Sequence, residues 1–168
     1  MHTGDRARIA VYPGSFDPLT VAHVAVARAA VEQRGVERVD LAVSRTTLGK
    51  AHLDDSSLGR RTRQLQDAIG AHDWLGLVVV STSLVVDIAQ GYDLVVMGAD
   101  KWAQVNDPHW YGGDPDARDA ALRRLPAVAV APRGGHAVPV DLALEVPAEL
   151  AHVSATAVRN GRSDWAAR

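Results

Sequence analysis

Two short segments near opposite ends of the chain carry residue types suited to holding phosphate. The first runs Tyr12-Pro13-Gly14-Ser15-Phe16-Asp17-Pro18-Leu19-Thr20-Val21-Ala22-His23. A glycine directly after an apolar run lets the backbone turn tightly, and amides exposed near a helix N-terminus favour bound anions. Thr20 can cap the following helix through its hydroxyl, and His23 then falls in the first turn, where its imidazole can point at the same phosphate. The second segment is Val153-Ser154-Ala155-Thr156-Ala157-Val158-Arg159. Here Ser154 is an N-cap candidate, Thr156 adds a hydroxyl and Arg159 a fixed cation. Taken singly, the first segment is also compatible with a plain turn and the second with a plain capped helix.

The elements that must position these groups are legible from hydrophobic patterning. Short apolar runs at Ile9–Tyr12, Val39–Val43, Leu77–Val80, Leu94–Met97, Val128–Ala131 and Leu142–Val146 read as strands buried on both faces. Between them lie stretches of helical length: Val21–Gln33, Leu58–Ala71, Leu84–Gln90 and Asp116–Leu125. In the first, Val24, Ala27 and Val31 share one face, while Arg28 and Glu32 fall on another. Strand and helix alternate, which predicts an α/β fold with a doubly wound parallel sheet. In such sheets ligands bind beyond the carboxyl ends of the strands, where strand order reverses. Both candidate segments follow apolar runs.

Bulk composition narrows the function. The 168 residues, 47% of them hydrophobic, suffice for one core, so residues 1–168 are expected to form a single domain. A formal net charge of -2 supplies no basic field for nucleic acid or an anionic membrane. The Arg60, Arg61 and Arg63 group reads as a solvated helix face. Zero cysteines exclude disulfides, thiolate metal sites and cysteine nucleophiles. No signal-like or membrane-spanning run is found, so a soluble, cytoplasmic protein is expected, without nucleic-acid or membrane partners. His109 and His136, near Asp107, Asp114 and Asp116, lack the spacing of a protein-only zinc site. Neither a Gly-x-Ser-x-Gly elbow nor a Walker loop is present. A homo-oligomer is compatible with all of these features.

The first segment resembles the signature of the HxGH-type nucleotidylyltransferase superfamily, in which Gly-[Thr/Ser]-Phe-Asp-Pro is followed by His-x-Gly-His or Thr-x-Gly-His. Gly14, Ser15, Phe16, Asp17, Pro18 and His23 match, Thr20 matches the variant of phosphopantetheine adenylyltransferases, and Ala22 departs from the glycine. The second segment resembles the superfamily's Ile-Ser-Ser-Thr-x-Ile-Arg motif, with Ser154, Thr156 and Arg159 matching and Ala155 replacing a serine. The resemblance, from about Ile9 to Arg159, implies a Rossmann-like fold and a single ATP pocket. Its expected lining is Gly14, Ser15, Phe16, Thr20, His23, Gly98, Asp100, Ser154, Thr156 and Arg159, with His23, Thr20, Lys50 and Arg159 at the reacting centre.

The acceptor side is read from the middle of the chain. Val96-Met97-Gly98-Ala99-Asp100, continuing through Trp102, Gln104, Trp110 and Tyr111, resembles a stretch of bacterial nicotinate mononucleotide adenylyltransferases. By that resemblance Ser15, Phe16, Lys50, Arg61, Ser83 and Trp110 are expected to hold the acceptor, with Trp110 against a nicotinate ring. Leu84-Val85-Val86-Asp87-Ile88-Ala89, in contrast, resembles a helix of phosphopantetheine adenylyltransferases. The implied activity is transfer of AMP from ATP to a phosphorylated acceptor, foremost nicotinate mononucleotide in NAD biosynthesis, with pyrophosphate released. Phosphopantetheine or another phosphorylated acceptor is the alternative. A nucleotide-binding homologue with weakened catalysis also stays open, on Ala22, Ala155 and the short C-terminus. Magnesium is expected to arrive with ATP, since it prefers phosphate oxygens and water to a protein cage.

Overall fold

A computed structural model of the chain describes residues 6–45 and 54–167. Five parallel strands form one sheet: β1 (Ile9–Pro13), β2 (Arg38–Ser44), β3 (Leu75–Val80), β4 (Leu94–Gly98) and β5 (Ala127–Ala131). Their spatial order is β3-β2-β1-β4-β5. The chain moves outward from β1 to β2 and β3, then returns to place β4 on the other side of β1. The switch point therefore lies between the carboxyl ends of β1 and β4, where Ala10 and Val11 pair with Leu94 and Val95. The alternation read from the sequence yields the expected Rossmann-like α/β domain.

Two apolar layers sandwich the sheet. One packs Tyr12, Leu41, Val43 and Val96 against α1 (Val21–Arg34) and α2 (Asp55–Ile69), with Leu144 closing it. The other packs Val11, Ala42, Val95, Met97 and Val130 against α3 (Val85–Ile88) and α4 (Ala99–Asn106). Strands covered on both faces read as continuous apolar runs because neither side meets water. Helix α1 buries Val26, Ala27, Ala29 and Ala30, a wider stripe than one apolar residue per turn suggests, because small alanines let it lie close to the sheet. It stops at Gly35, whose φ of 64° is the left-handed conformation that glycine adopts without penalty. Helix α5 (Pro115–Leu122) precedes β5.

The expected strand at 142–146 is reduced to one parallel bridge, between Val130 and Ala143. Val130 donates to the Leu142 carbonyl and accepts from the Leu144 amide, both at 2.8 Å. Beyond that bridge the backbone turns to α1. The Gln33 side chain donates to the Glu145 carbonyl at 2.8 Å and accepts from its amide at 2.9 Å, replacing the ladder. After the 3-10 turn Ala148–His152 comes α6 (Ala155–Arg159), which returns the end of the chain to the switch point.

Candidate active site

Gly14 follows β1 directly. Phe16 adopts φ 47°, an uncommon conformation for a residue with a side chain, and its ring folds back over Gly14. A Cβ on Gly14 would lie 2.8 Å from that ring, so only glycine fits. Phe16 meets the His23 ring edge-to-face at 5.0 Å, and Tyr12 stands 6.1 Å from the same imidazole. The loop thus forms an aromatic clamp around His23.

The cap of α1 completes that positioning. Thr20 Oγ1 accepts from the His23 amide at 3.3 Å, while the Thr20 amide donates to His23 Nδ1 at 3.0 Å. This is a reciprocal capping box in which histidine takes the place of the usual Glu or Gln. A backbone N–H can only donate, so Nδ1 must be an acceptor and the proton of the neutral ring sits on Nε2. Burial, and secondarily the charge of Arg133, push the imidazole pKa down from 6.5 to about 4. His23 is therefore neutral near pH 7 and still carries one N–H donor.

His23 lines a cavity of about 1180 Å³ over the switch point. From the first loop come Gly14, Ser15 and Phe16; from the end of β4, Gly98 and Asp100; from the far end of the chain, Ser154, Thr156 and Arg159. Ser83 joins them from the segment before α3. At Gly98 the Asp100 carboxylate lies close over the backbone, so that a Cβ there would come within 2.8 Å of Oδ1 and displace that side chain. Ser154 caps α6 by accepting from the Ala157 amide at 3.0 Å, and Arg159 donates to Thr156 Oγ1 at 3.1 Å. Both phosphate-type segments, more than a hundred residues apart in the chain, contribute to one cavity.

Three expected residues lie off the cavity wall. Thr20 is wholly buried and is not among the lining residues; its hydrogen bonds go to His23 and to the start of α1. Arg61 is not among the lining residues: its Nη2 is 2.9 Å from Asp17 Oδ2, and its side chain is mostly buried. Trp110 sits in the 3-10 turn Pro108–Tyr111, stacked edge-to-face on His109 at 5.0 Å, and is not among the lining residues. The Asp107 cap and the Tyr111 hydroxyl bond to Val105 hold that turn where it is. Lys50 lies outside the described residues.

The wall also contains groups given no site role by the motifs. Arg133 and His136 come from the loop after β5 and Lys101 from α4, beside Gln104 of the stretch that begins at Val96. Lys101 Nζ donates to Gln104 Oε1 at 2.7 Å. Arg133 was accessible to the rule that ligands meet strand ends, since it lies two residues beyond β5. Lys101 directly follows the Gly98-Ala99-Asp100 turn. Tyr12 is buried beneath them, its hydroxyl pKa raised first by burial and then by the Asp100 carboxylate. For magnesium arriving on phosphate, Asp100 is a carboxylate on the wall, and among the described residues no group of three His, Asp or Glu is placed to hold an ion unaided.

The same wall includes Ala42, Ser44, Ser83, Val85, Lys101 and Gln104.

A family model described as cytidylyltransferase-like matches residues 11–161, spanning both phosphate segments. The chain belongs to the cytidylyltransferase-like family of nucleotidylyltransferases. Over 97 residues it is 32% identical to phosphopantetheine adenylyltransferases of two Nitratidesulfovibrio vulgaris strains, DP4 and Hildenborough. That match covers 56% of this chain and 48% of each relative, so the chain spans about half the length of the curated relatives it matches. Among solved structures it is similar to a Plasmodium falciparum nicotinic acid mononucleotide adenylyltransferase. The complex with NaAD gives a TM-score of 0.65 at 14% identity, over 92% of this chain and 83% of that one. The complex with APC gives 0.60 at 13% identity over the same shares. At that identity the likeness speaks for the fold. Among the described residues no helix is long and apolar enough to cross a membrane.

Proposed function

We propose that the protein is an adenylyltransferase that joins the AMP of ATP to a phosphorylated acceptor and releases pyrophosphate. The observation that carries this reading is the meeting of His23 with Ser154, Thr156 and Arg159 in one cavity at the switch point. An acceptor phosphate attacks the α-phosphorus in line, forming the new P–O–P bond as the bond to pyrophosphate breaks. The acceptor is already anionic, so no general base and no covalent intermediate are required. His23 Nε2–H donates to the α-phosphate oxygens, where charge builds in the transition state. Ser154, Thr156 and Arg159 hold the departing pyrophosphate, joined by Arg133 from the loop after β5. Asp100, on the cavity wall, would be the protein carboxylate for magnesium carried on ATP, which when bound would supply positive charge at the phosphates.

For the acceptor we favour nicotinate mononucleotide, which would place the activity in NAD biosynthesis. The support is the Gly98-Ala99-Asp100 turn and the place of Lys101, a cation suited to a carboxylate, on the cavity wall. The position of Trp110, away from the cavity wall, favours phosphopantetheine as the second reading, as do the curated relatives. Pyrophosphate release measured with ATP, magnesium and each of nicotinate mononucleotide, its amide counterpart and phosphopantetheine decides between them. Turnover of the nicotinate compound alone supports the first reading, and turnover of phosphopantetheine alone the second. ATP binding without turnover on any acceptor would remove the enzyme reading.

A further inference from the structure

The last described residues return to the helix cap that holds His23. After α6 the chain makes the short turn Ser163–Trp165 and then runs antiparallel to residues 19–20. Ala166 bridges Thr20, and the Ala167 amide donates to the Leu19 carbonyl at 2.9 Å. The Ala167 side chain packs against the apolar layer that contains Leu19, Phe16 and Val26. This strand-like contact covers Thr20, whose exposure is 0%.

Thr20 is also the residue that sets the state of His23. Its amide and its hydroxyl both lie 3.0 Å from Nδ1. The Leu19–Thr20 peptide is therefore held at both ends, its N–H by His23 Nδ1 and its carbonyl by the Ala167 amide, while the next carbonyl, that of Thr20, accepts from the Val24 amide at 3.2 Å. A small rotation of the Leu19–Thr20 peptide would withdraw the amide from Nδ1. The imidazole would then be free to take its other tautomer, with Nε2 unprotonated and unable to donate.

The same stretch is tied to the second phosphate segment. The Arg162 amide donates to the Ala157 carbonyl at 3.0 Å, which fastens the turn to the end of α6. The Arg162 guanidinium lies 3.8 Å above the Trp165 ring and reaches both oxygens of Asp164, at 3.1 and 3.0 Å. The turn is braced on both faces, and it joins the end of α6 directly to the residues that pair with Leu19 and Thr20.

We propose that residues 163–167 are a positioning strap for His23: by pairing with Leu19 and Thr20 they hold the Thr20 amide on Nδ1 and keep the Nε2 proton turned to ligand. The strap thereby links the phosphate segment at α6 to the orientation of the histidine. Its kinetic consequence rests on the proposed role of His23 in adenylyl transfer, whereas its effect on the imidazole tautomer does not. A tail that merely adds stability would move the melting temperature and leave the tautomer alone.

The test uses the full chain with Ala167→Pro, which removes the N–H that donates to Leu19, and Ala167→Ser, which keeps it. Turnover, KM for ATP, melting temperature and the two ring nitrogens of His23 by NMR are read on each. The strap requires that Ala167→Pro lower kcat by about tenfold or more with KM for ATP little changed. The His23 signals should then shift from the single Nε2–H tautomer to a mixture, while Ala167→Ser matches the parent. Should Ala167→Pro not fold, the Ala166→Gly/Ala167→Gly double variant keeps every donor, loosens the strap and should show the same tautomer change more weakly. An unchanged Nε2–H tautomer in a folded variant overturns the strap, whatever the activity. If the parent protein shows no transfer with any acceptor, the tautomer readout still decides the strap separately.

Discussion

Arg159, near the end of the chain, donates to the main-chain carbonyl of Asp17, a residue 142 positions earlier. Its guanidinium also lies 4.0 Å from the Asp17 carboxylate, which is itself bonded to Arg61. One aspartate in the first phosphate loop therefore gathers an arginine from α2 and an arginine from α6. The arrangement places Arg159 at the seam between the two phosphate segments before any ligand arrives, and leaves Arg61 as its brace.

Removing the charge of Asp17 should loosen both arginines. Asp17→Asn is expected to destabilise the fold by about 1–2 kcal/mol, less than a fully buried pair would lose because Asp17 is partly open to water. Chemical denaturation measures this. A stability equal to that of the parent would mean that the Asp17–Arg61 pair contributes nothing net.

Arg159→Ala removes a fixed cation from the proposed pyrophosphate site. KM for ATP should rise and kcat should fall, together lowering kcat/KM by about two orders of magnitude. Arg159→Lys should recover only part of this, since an ammonium cannot reproduce the fork that reaches Asp17 and Thr156 together. Steady-state kinetics at varied ATP distinguishes the two variants.

The pH dependence of stability should carry the signature of His23. Its folded pKa, about 4, lies below the ordinary 6.5, so between those values the unfolded chain binds the extra proton and the folded one does not. Stability must therefore rise as pH increases from about 4 to 6.5 and level off above that. The contribution is at most about 3 kcal/mol over that window. Denaturation midpoints across the range, compared with those of His23→Gln, should show the rise flattened in the variant. Equal slopes in the two proteins would place the His23 pKa near its ordinary value.

Acceptor recognition should depend on Lys101 and be indifferent to Trp110. Lys101→Met is expected to raise KM for nicotinate mononucleotide about tenfold, as loss of a charge-assisted hydrogen bond would, and to leave KM for ATP unchanged. Trp110→Ala should change neither constant by more than about twofold. A large effect at Trp110 would show that the turn at 108–111 closes onto bound acceptor.

Much of this architecture was legible because β1, β2 and β4 are covered on both faces and so appear as unbroken apolar runs. The run at 142–146 looked the same but makes only one bridge, to Val130, its other backbone groups meeting Pro139 and the Arg34 and Gln33 side chains, contacts that periodicity does not encode. The first and last phosphate segments were identifiable because their roles rest on local turns and caps. The burial of Thr20 was not legible for a related reason: a capping residue and a ligand-binding residue have the same local sequence, and the bridge from Ala166 lies 146 positions away. Arg61 and Trp110 depended on tertiary placement, set by Asp17 in one case and by the Asp107 cap in the other. Arg133 and Lys101 belong to no motif, and their importance emerges once β5 and α4 are seen to border the cavity.

The most direct measurement is single-turnover adenylyl transfer by His23→Ala beside ATP binding by the same variant. Turnover should drop by about two to three orders of magnitude while ATP affinity changes only a few fold, because the Nε2–H donor acts chiefly on charge that develops in the transition state. Undiminished turnover in a folded His23→Ala protein would contradict the role assigned to that imidazole and, with it, the proposed chemistry of the cavity.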